Sequence, residues 1–478
     1  MYDVAIIGAG VSGCAVAWKL SKYKLKVCVI DKETDVCEGT SKGNTGVVNA
    51  GHDPKPGTLA AKYNAEGAEW IFAHADELGI ECKNNGFLIV CTDKDNKEDL
   101  IALYERGITN KVRGLEIVDR EEALRLEPNI ADDVVCALRI DAGGTLSPWT
   151  LVTGYAEIAA ENGVEFRLGE KVENIKKCEC GYVITTSKDV INTKYVVNAA
   201  GVYADEIHNM VSEQKLHIRP RKGQYCILDK VKPGFVTRTI GPLPSKMGKG
   251  IVVSPTIHGN LLIGPTALDM DDKEDLSVTQ DGINTLIAAT QNLVKGIPYH
   301  TVITQYAGLR AEEDRHDFIL GEVEDAPGFI DCAGIKSPGL TCSPLIAAHI
   351  RDVLNDIYPL EEKESYVTTR KPIKLFKNCT PEEQKQLLKE NPAYGRIICR
   401  CETITEGDII NAIRRPVGAT TMDGIKRRVR AGMGRCQGGF CSPRVMEILA
   451  RETGQDPESI CKNLPDSRLI VSKNKEDI

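Results

Sequence analysis

Four cysteines near the C-terminus carry the clearest chemical signal in this sequence of 478 residues. Cys399 and Cys401 form a C-R-C pair, and Cys436 and Cys441 bound the segment C-Q-G-G-F-C. Two close pairs of thiolates suit a [2Fe-2S] cluster, in which four cysteines bind two irons. Zinc is the alternative because four cysteines also bind it tetrahedrally, but zinc pairs are usually spaced C-x2-C to C-x4-C. The spacing therefore favours an iron–sulfur cluster and one-electron transfer.

A second chemical signal is the glycine-rich turn near the N-terminus. The segment V-A-I-I-G-A-G-V-S-G places Gly8, Gly10 and Gly13 between a predicted strand at 3–7 and a predicted helix at 12–22. Such glycines let the backbone approach a pyrophosphate, and the helix N-terminus favours its charge. Asp31 follows the next strand, where a carboxylate can bind ribose hydroxyls. The pattern predicts a dinucleotide site without choosing between FAD and NAD.

Composition limits the remaining classes of function. The formal net charge is -8, so a nucleic acid is not an expected partner. No apolar run reaches the roughly 18 to 20 residues that a membrane span requires, and the first apolar stretch lacks the basic region of a signal peptide. Most of the 17 cysteines stand singly in apolar segments, as expected for buried thiols in a reducing compartment. We therefore expect a cytoplasmic protein without a membrane span.

The elements that must position these motifs indicate two or three domains. A βαβ unit opens the chain. A long region then has the short strands and Gly/Pro turns of an antiparallel sheet, and a polar stretch precedes the cysteine segment. Further expected elements are helices at 150–162, 281–294 and 381–389, a helix that follows the segment 329–344 and ends at about 354, and strands at 164–168, 182–186 and 195–199, with the antiparallel sheet at 216–331 and the polar stretch at 359–394.

Three further glycine-rich loops decide the identity of the cofactor. They are G-T-S-K-G-N-T-G (39–46), Y-V-V-N-A-A-G-V-Y-A-D (195–205) and G-I-K-S-P-G-L-T (334–341). With the first turn they resemble the FAD-dependent oxidoreductases of the D-amino-acid oxidase superfamily, in which a large cofactor threads several such loops. The resemblance implies FAD contacts at Gly8, Gly10, Gly13, Asp31, Lys32, Ser41, Asn44, Thr45, Gly46, Val172, Ala200, Gly201, Gly334, Gly339, Leu340 and Thr341.

Other segments narrow the resemblance within that superfamily. N-T-G-V-V-N-A-G-H-D-P-K-P-G-T-L-A-A-K (44–62), G-P-T-A-L-D (264–269) and Y-A-G-L-R (306–310) are most similar to anaerobic and type 2 glycerol-3-phosphate dehydrogenases. L-2-hydroxyglutarate dehydrogenases come next. The tail G-M-G-R-C-Q-G-G-F-C resembles the [2Fe-2S] domain of the bacterioferritin-associated-ferredoxin type.

The expected fold is α/β, with a doubly wound, Rossmann-like FAD domain, an inserted antiparallel-sheet substrate domain and a small C-terminal helical [2Fe-2S] domain. The oxidoreductase unit would span 1–365. Its FAD domain would comprise about 1–80, 145–215 and 325–365, and its substrate domain about 81–144 and 216–324. A linker at 366–395 would then lead to the [2Fe-2S] domain at 396–465.

Two cations match family positions that bind the anionic group of the substrate, namely Arg310 and Lys336. A guanidinium suits a phosphate or a carboxylate because its forked donors fit two oxygens at once. The alternative is that both are surface charges. Arg315 and Lys222 are weaker candidates for the same role.

His52, in N-A-G-H-D, is the candidate general base. Oxidation of an alcohol requires a group that takes the hydroxyl proton, and a histidine can do so near neutral pH. Relatives usually carry their histidine at the position of Asn49, so His52 could instead be a structural group beside the site. His258 and the other histidines are expected to be structural.

The cysteine segment has its own local signals. T-E-G-D (405–408) can cap a helix after the first cysteine pair, and Ser442 with Pro443 predicts a helix start after Cys441. The C-x-C of Cys178 and Cys180 lacks a second pair nearby and is interpreted as structural. A basic run is expected to form a solvated helix face, or else to dock an acidic partner; it comprises Lys426, Arg427, Arg428, Arg430 and Arg435.

The resemblance implies oxidation of a small anionic alcohol, sn-glycerol 3-phosphate, to dihydroxyacetone phosphate. Electrons would leave through the cluster to a partner flavoprotein or another electron-acceptor subunit. One alternative substrate is L-2-hydroxyglutarate or another 2-hydroxy or amino acid. An alternative of a different class is an electron-relay subunit of a flavoprotein complex, which would need no anion pocket beside its flavin.

Overall fold

The computed structural model describes residues 1–244, 248 and 250–472 of the chain. In chain order the strands are β1 (Tyr2–Ile7), β2 (Val27–Asp31), β3 (Val47–Val48), β4 (Cys82–Lys83), β5 (Phe87–Thr92), β6 (Leu115–Asp119), β7 (Val134–Ile140), β8 (Gly144–Leu146), β9 (Glu165–Leu168), β10 (Val172–Cys178), β11 (Gly181–Thr186), β12 (Val190–Asn198), β13 (Ile218–Lys230), β14 (Thr239–Pro242), β15 (Val252–Pro255), β16 (Asn260–Gly264), β17 (Leu268–Asp269), β18 (Val302–Glu313), β19 (Ile319–Val323), β20 (Ala326–Ala333), β21 (Ile397–Cys399) and β22 (Ile404–Thr405). The helices are α1 (Val11–Leu20), α2 (Leu59–Ala73), α3 (Ala75–Leu78), α4 (Lys97–Thr109), α5 (Arg120–Leu126), α6 (Pro148–Glu161), α7 (Ala204–His208), α8 (Gln280–Gln291), α9 (Gly339–Ile357), α10 (Pro381–Glu390), α11 (Glu406–Ile413), α12 (Met422–Val429) and α13 (Ser442–Thr453).

The first sheet is built around β1, which is parallel to β2 on one side and to β12 on the other. Its order is β10-β11-β12-β1-β2-β9, and β20 joins the second half of β12 in parallel. Val4 and Ile6 of β1 are buried in one hydrophobic cluster with α1, α6 and α9, and Ala5 and Ile7 are buried in another cluster on the opposite face of the sheet. These elements confirm the predicted βαβ opening and the Rossmann-like fold.

The second sheet is mainly antiparallel and has the order β17-β13-β16-β15-β14-β5-β7-β6, with β18 along β13. The one parallel pair on that path joins β14 to β5. Helix α8 covers part of this sheet, and its Leu286 lies in the same core cluster as Cys226 and Ile263. The helix and the antiparallel pattern agree with the sequence analysis.

One predicted domain boundary differs from the strand pairing. β19 pairs with β20 and therefore belongs to the first sheet, although the substrate domain was expected to run to residue 324. The chain has already returned from the second sheet after β18. The boundary was placed too late because β19 and β20 form a hairpin, which in the sequence looks the same as the antiparallel strands before it.

The C-terminal domain contains α11, α12, α13 and the short hairpin of β21 and β22. The stretch at 366–395 was expected to be a linker, and most of its residues are exposed, but three buried residues anchor it to the two domains. Arg370 is buried and donates to Leu78 O in the first domain, while Leu375 and Ala393 belong to the core of the C-terminal domain. Helix α10 begins at a capping box of Thr380 with Glu383, close to its predicted start.

The helix starts beside the cysteines were predicted nearly correctly. Thr405 caps α11 in a capping box with Asp408, as the T-E-G-D segment indicates. Helix α13 begins one residue earlier than expected, so that Cys441 itself is the N-cap and Ser442 is the first helical residue. None of the described helices is both long and apolar enough to cross a membrane.

Candidate active site and cysteine segment

A cavity of about 1700 Å³ lies between the two sheets and receives most of the predicted site residues. His52, Arg310 and Lys336 all line it. The predicted cofactor residues that line it are Gly8, Gly10, Asp31, Lys32, Ser41, Asn44, Thr45, Gly46, Val172, Ala200, Gly201, Gly339 and Leu340. Gly13, Gly334 and Thr341 are not among its lining residues. Gly13 packs against Gly8, Thr341 accepts a hydrogen bond from Asn49 N, and Gly334 directly precedes the lining residue Ile335.

The first glycine turn is shaped by close backbone contacts. Gly8 has φ +105°, and a Cβ there would lie 2.4 Å from Ala199 O. A Cβ at Gly13 would lie 1.8 Å from Gly8 O, so this glycine lets α1 pack against the turn. The Asp31 carboxylate accepts hydrogen bonds from Ala9 N (2.5 Å) and Glu33 N (2.8 Å). Burial raises the pKa of Asp31 to about 6.

The second glycine loop, residues 39–46, is fixed to the strand that carries Arg310. Gly43 and Gly308 pass so closely that a Cβ at Gly308 would lie 1.9 Å from Gly43 O. Thr40 Oγ1 donates to Leu309 O, and the Ser41 hydroxyl accepts from Val11 N at 2.9 Å. One loop therefore joins the start of α1 to β18, and this places the nucleotide turn and the substrate strand on one cavity.

Arg310 lies near the end of β18, opposite Arg221 on β13. Its guanidinium donates to Thr266 O at 3.3 and 3.4 Å. Gly223 makes room for it, because a Cβ at that position would lie 2.7 Å from the guanidinium. Among the described residues, no carboxylate lies within ion-pair distance of Arg310, which leaves its charge available to an anion in the cavity.

Lys336 also lines the cavity, but its ammonium is bonded to the Glu312 carboxylate. Glu312 also faces Arg221 at 3.5 Å. The charge of Lys336 is thus already balanced within the protein, whereas that of Arg310 is not. The structure therefore supports Arg310 more strongly than Lys336 as an anion-binding group.

The two weaker cation candidates lie outside the cavity lining. Lys222 is neither a surface charge nor a lining residue, since its side chain is 2% exposed and bonds Asp275 at 2.8 Å. Arg315 is an exposed residue beside Glu313. His258 lies beside Glu81 at 3.4 Å, and burial together with Arg430, Lys377 and Lys230 lowers its pKa to about 3. A structural role for His258 agrees with this position.

His52 is buried and lines the cavity, with its ring 5.8 Å from that of Phe87. Its loop is held by the end of α4, where the Asn110 amide donates to Gly51 O and Pro54 O. Asn49 lines the cavity too, and its backbone N–H donates to the Thr341 hydroxyl at 2.9 Å. Both positions named by the sequence analysis are therefore at the cavity.

The four cysteines come together as two pairs, each made from both segments. Cys401 Sγ lies 3.6 Å from Cys436 Sγ at the surface, while Cys399 and Cys441 are hydrogen-bonded to each other and buried. In the described part of the chain, no three metal-binding side chains meet around one point. A [2Fe-2S] cluster requires two cysteine sulfurs for each of its two irons, and two separate pairs of sulfurs suit this requirement.

Backbone donors surround these sulfurs. Cys399 accepts from Cys441 and from the N–H groups of Gly432 and Glu402, and these bonds lower its pKa to about 6. The N–H groups of Phe440 and Gly438 point at Cys436. The pKa of Cys436 is also lowered, whereas the pKa values of Cys401 and Cys441, which pair with Cys436 and Cys399, are raised. One thiolate in each pair is therefore favoured.

A family model described as FAD dependent oxidoreductase matches residues 3–353. The chain belongs to the FAD-dependent oxidoreductases. A second model, described as BFD-like [2Fe-2S] binding domain, matches residues 397–451 and contains all four cysteines. The flavoenzyme thus uses FAD and a [2Fe-2S] cluster.

Individual relatives agree with this assignment. A glycerol 3-phosphate dehydrogenase of Caloramator mitchellensis is 48% identical over 479 residues, which is 100% of both chains. The structure of an L-alpha-glycerophosphate oxidase from Mycoplasma pneumoniae with FAD bound has a TM-score of 0.74 and 32% identity, and it covers 77% of this chain and 98% of its own. An L-2-hydroxyglutarate dehydrogenase of Indibacter alkaliphilus is 28% identical over 291 residues, 60% of this chain and 72% of its own.

The cavity and the cysteine pairs fit these two cofactors. The backbone approaches at Gly8 and Gly43 leave no space for side chains where a pyrophosphate must come close. Asp31 stands at the end of β2, where the ribose hydroxyls are bound in this fold. When bound, FAD would supply the two-electron acceptor and the cluster a one-electron acceptor.

The basic run of the flavoenzyme is not a solvated face, and that expectation was wrong. The Arg428 side chain is 2% exposed and forms a bidentate pair with Asp35, at 2.6 and 2.7 Å. Arg427 reaches Asp35 and Glu38, and Arg430 pairs with Glu402 at 3.0 Å. These side chains lie at the junction of the domains. Arg435 alone is strongly exposed, while Lys426 is largely buried and bonds Gln437 at 3.3 Å.

Sequence reasoning missed several residues that line or support the cavity. The rings of Tyr225 and Tyr306 stack at 4.7 Å, and Tyr306 donates to Asn44 O at 2.6 Å. Tyr225 lies beside Arg310 and Thr45, and burial raises its pKa. Gln224 and Thr266 line the same region. The alternation of inward and outward side chains along K-G-Q-Y-C (222–226) could have identified Tyr225 as an inward residue. It could not have identified Tyr306, which is paired with Tyr225 on the neighbouring strand.

Proposed function

We propose that the protein is a dehydrogenase that oxidises sn-glycerol 3-phosphate to dihydroxyacetone phosphate and passes the electrons through its cluster to a protein acceptor. The observation that carries the proposal is the position of Arg310. Its guanidinium faces the same cavity as the FAD loops and His52, and its hydrogen-bond partners among the described residues, the Thr266 carbonyl and Tyr225, are uncharged. A small anion with an alcohol group could bind both residues at once.

Arg310 would bind and orient the phosphate. A guanidinium and a phosphate can form two parallel hydrogen bonds, which fix direction as well as position. The Thr266 carbonyl and the stacked Tyr225 limit the movement of the guanidinium. The substrate carbon would then be held in a fixed orientation relative to the cofactor loops.

His52 would take the proton of the hydroxyl group on a ring nitrogen. The carbon–hydrogen bond of the same alcohol carbon breaks with its electron pair, so one proton and one hydride leave together and a ketone forms. Burial of His52 excludes water from the proton transfer. A histidine suits this step because its neutral form is available near pH 7.

The relatives support a phosphate rather than a carboxylate substrate. The full-length relative is named glycerol 3-phosphate dehydrogenase, while the L-2-hydroxyglutarate dehydrogenase matches only 60% of this chain. The relay alternative is not favoured, since a relay has no use for Arg310 beside the flavin loops. The oxidase structure has no counterpart for nearly a quarter of this chain. We propose that the cluster domain supplies an electron exit in place of oxygen.

The test is anaerobic bleaching of the bound flavin by single compounds. We expect sn-glycerol 3-phosphate to bleach it rapidly at low concentration, and glycerol, which lacks the anion, to do so poorly. L-2-Hydroxyglutarate is the matched anionic control. Faster bleaching by L-2-hydroxyglutarate would overturn the substrate, and no bleaching by any of the three would overturn the dehydrogenase.

We propose that the acceptor is an acidic electron-carrier protein that docks at the exposed cysteine pair. Phe440, next to Cys441, is 87% exposed, and Arg400 and Arg435 are exposed around Cys401. Aromatic and arginine side chains are the commonest anchors of protein interfaces. Basic groups here suit an acidic partner even though the whole chain is acidic.

Reduction of a purified acidic flavodoxin tests the docking surface. We expect Phe440→Ala to slow its reduction about tenfold, in proportion to the loss of about 1.4 kcal/mol of contact. Reduction of ferricyanide should be unchanged. Val190→Ala, at an exposed apolar residue in the first domain, is the control. Equal rates for Phe440→Ala and the parent would place docking elsewhere.

We also propose a cytoplasmic location. None of the 17 cysteines, all of which lie in the described part of the chain, forms a disulfide, and this includes the exposed Cys178 and Cys180 at the turn between β10 and β11. An exposed pair of thiols two residues apart would oxidise readily outside a reducing compartment. Fractionation of cells with an antibody to the chain would test the location, and recovery with the membrane or outside the cell would contradict it.

A further inference from the structure

Residues 461–468, which follow both family matches, reach the cofactor cavity. The family models end at residues 353 and 451, yet Leu464 lines the cavity together with Asp31, Lys32 and Glu38. We infer that this C-terminal segment completes the ribose and adenine end of the FAD site, so that tight FAD binding requires the docked cluster domain. Asn463 and Leu464 are the positioning residues of this arrangement.

The segment is held in one conformation as a turn. Cys461 and Arg468 form a bridge at its base, and Ser467 N donates to Leu464 O at 3.0 Å across the tip. The Ser467 hydroxyl accepts from Asn463 N at 2.8 Å. Met422 N and Asp423 N, at the start of α12, donate to the carbonyls of Cys461 and Lys462. The turn is therefore part of the cluster domain.

Asn463 connects this turn to the loop that follows Asp31. Its carbonyl accepts from Thr34 Oγ1 at 2.8 Å, and its amide donates to Glu38 Oε2 at 3.3 Å. Arg427 donates to the other end of the Asn463 side chain at 2.8 Å. One asparagine thus contacts the loop twice and is itself oriented by an arginine of α12.

The same loop is held a second time at Asp35. Arg427 and Arg428 both pair with this buried carboxylate, and together they lower its pKa although burial alone would raise it. A Cβ at Gly424 would lie 2.9 Å from Asp35 Oδ2, so α12 approaches the loop as closely as backbone allows. Thr34, Asp35 and Glu38 are therefore all fixed by the cluster domain.

A loop fixed before the cofactor arrives does not have to be ordered when the cofactor binds, and this increases affinity. Because the fixed stretch from Thr34 to Glu38 follows Asp31 in the same loop, and Asp31 and Glu38 both line the cavity, the gain should concern the adenosine half of FAD. By linkage, FAD should in turn stabilise the docked position of the cluster domain. The inference does not depend on which alcohol the enzyme oxidises.

The experiment measures ligand binding to the full chain after the flavin has been removed. The variant is Asn463→Ala combined with Leu464→Ala, and the control is Leu469→Ala, since Leu464 and Leu469 are 47% and 46% exposed but only Leu464 lines the cavity. FAD, ADP and FMN are titrated separately. We expect the variant to weaken FAD and ADP by the same factor, about tenfold, and to leave FMN unchanged.

Iron content and cluster absorbance report whether the cluster domain remains folded in each variant. Equal FAD and ADP affinities in the variant and the parent would overturn the inference. Equal weakening of FAD, ADP and FMN would overturn it too, because it would show a general disturbance of the cavity. If the double variant loses iron, the affinities for FAD, ADP and FMN are compared between the parent and Leu464→Ala alone. This single change affects only a half-exposed side chain.

Discussion

Arg310 is partly exposed at the cavity and the side chain of Arg428 is buried, and the two arginines differ in what balances their charge. Arg428 is held by both oxygens of Asp35 and by Val417 O, at the junction of the first domain and the cluster domain. Arg310 has only uncharged hydrogen-bond partners among the described residues, the Thr266 carbonyl and Tyr225, and it faces a cavity of about 1700 Å³. The first is a closed structural pair, and the second is an open anion site.

The difference teaches that a buried cation is informative about function only after its counter-charge has been found. Lys336 shows the intermediate case, since it lines the cavity but is already paired with Glu312. On this comparison, changes in the cavity should affect flavin reduction and leave stability nearly unchanged. Changes at the domain junction should lower the free energy of unfolding and leave the rate of flavin reduction nearly unchanged.

The largest expected effect is on chemistry, in His52→Ala. Removal of a general base typically slows the chemical step about 100- to 10,000-fold. Anaerobic flavin reduction, measured by stopped flow across a range of pH, checks the loss. Asn49→Ala is the matched variant at the same cavity, and its rate should stay within about tenfold of the parent. If His52→Ala keeps the parental rate and pH dependence, another group is the base.

The next effect is on stability, in Arg428→Ala. It removes the bidentate partner of the buried Asp35 and leaves only Arg427 beside it, so the cost should approach about 3 to 5 kcal/mol, which is typical of a broken buried pair. Urea unfolding of the holoenzyme measures the loss. Arg444→Ala, at an exposed pair with Glu447, should cost at most about 1 kcal/mol. The double change Asp35→Asn with Arg428→Met should recover part of the loss, because it removes both charges of this pair, while Arg427 keeps its pair with Glu38.

Arg310→Ala should weaken substrate binding rather than folding. Loss of a bidentate contact to a desolvated anion removes about 2 to 4 kcal/mol, or about 30- to 1,000-fold in affinity. The concentration of sn-glycerol 3-phosphate for half-maximal flavin reduction measures this. Arg310→Lys keeps the positive charge but not the two parallel donors of the guanidinium, so it should lose less substrate affinity than Arg310→Ala does. A fall in the urea midpoint as large as that of Arg428→Ala would erase the contrast between the two arginines.

Local patterns were sufficient to predict the cofactor elements. The Gly8 turn, Asp31 and the four cysteines depend on spacing within short segments, and the structure places them as expected. The predicted strand 195–199 and helix 281–294 also correspond to β12 and α8. Such features are visible in one sequence because each is encoded by neighbouring residues.

The remaining features depend on contacts between distant segments. Arg427 and Arg428 have the spacing of an exposed helix face, and only the docking of α12 on Asp35 buries them. Lys222 was a weak candidate for anion binding, with a surface charge as the alternative, and neither interpretation included its partner Asp275, which lies in another loop. Leu464 carries no local signal at all. Charge balance across a domain junction cannot be inferred from residue type alone.

The smallest expected effect concerns a buried pair outside both regions, His208 with Asp331, in which the cation can lose its charge. His208 Nδ1 lies 2.6 Å from Asp331 and Nε2 lies 2.7 Å from Gln214 O. Burial alone would lower the pKa of His208, but these partners raise it above the usual value.

Because the folded-state pKa of His208 is higher than the unfolded-state pKa, the stabilisation is fully present below about pH 6.5 and is lost as the pH rises through the folded-state pKa. The free energy of unfolding of the parent should therefore fall between pH 6 and pH 9 relative to that of His208→Gln, and by less than Arg428→Ala costs. The corresponding difference for Arg428→Met should not change over this range, since a guanidinium stays charged throughout. A parent-to-His208→Gln difference that is constant with pH would show that His208 does not titrate, and the pair would then behave like that of Arg428.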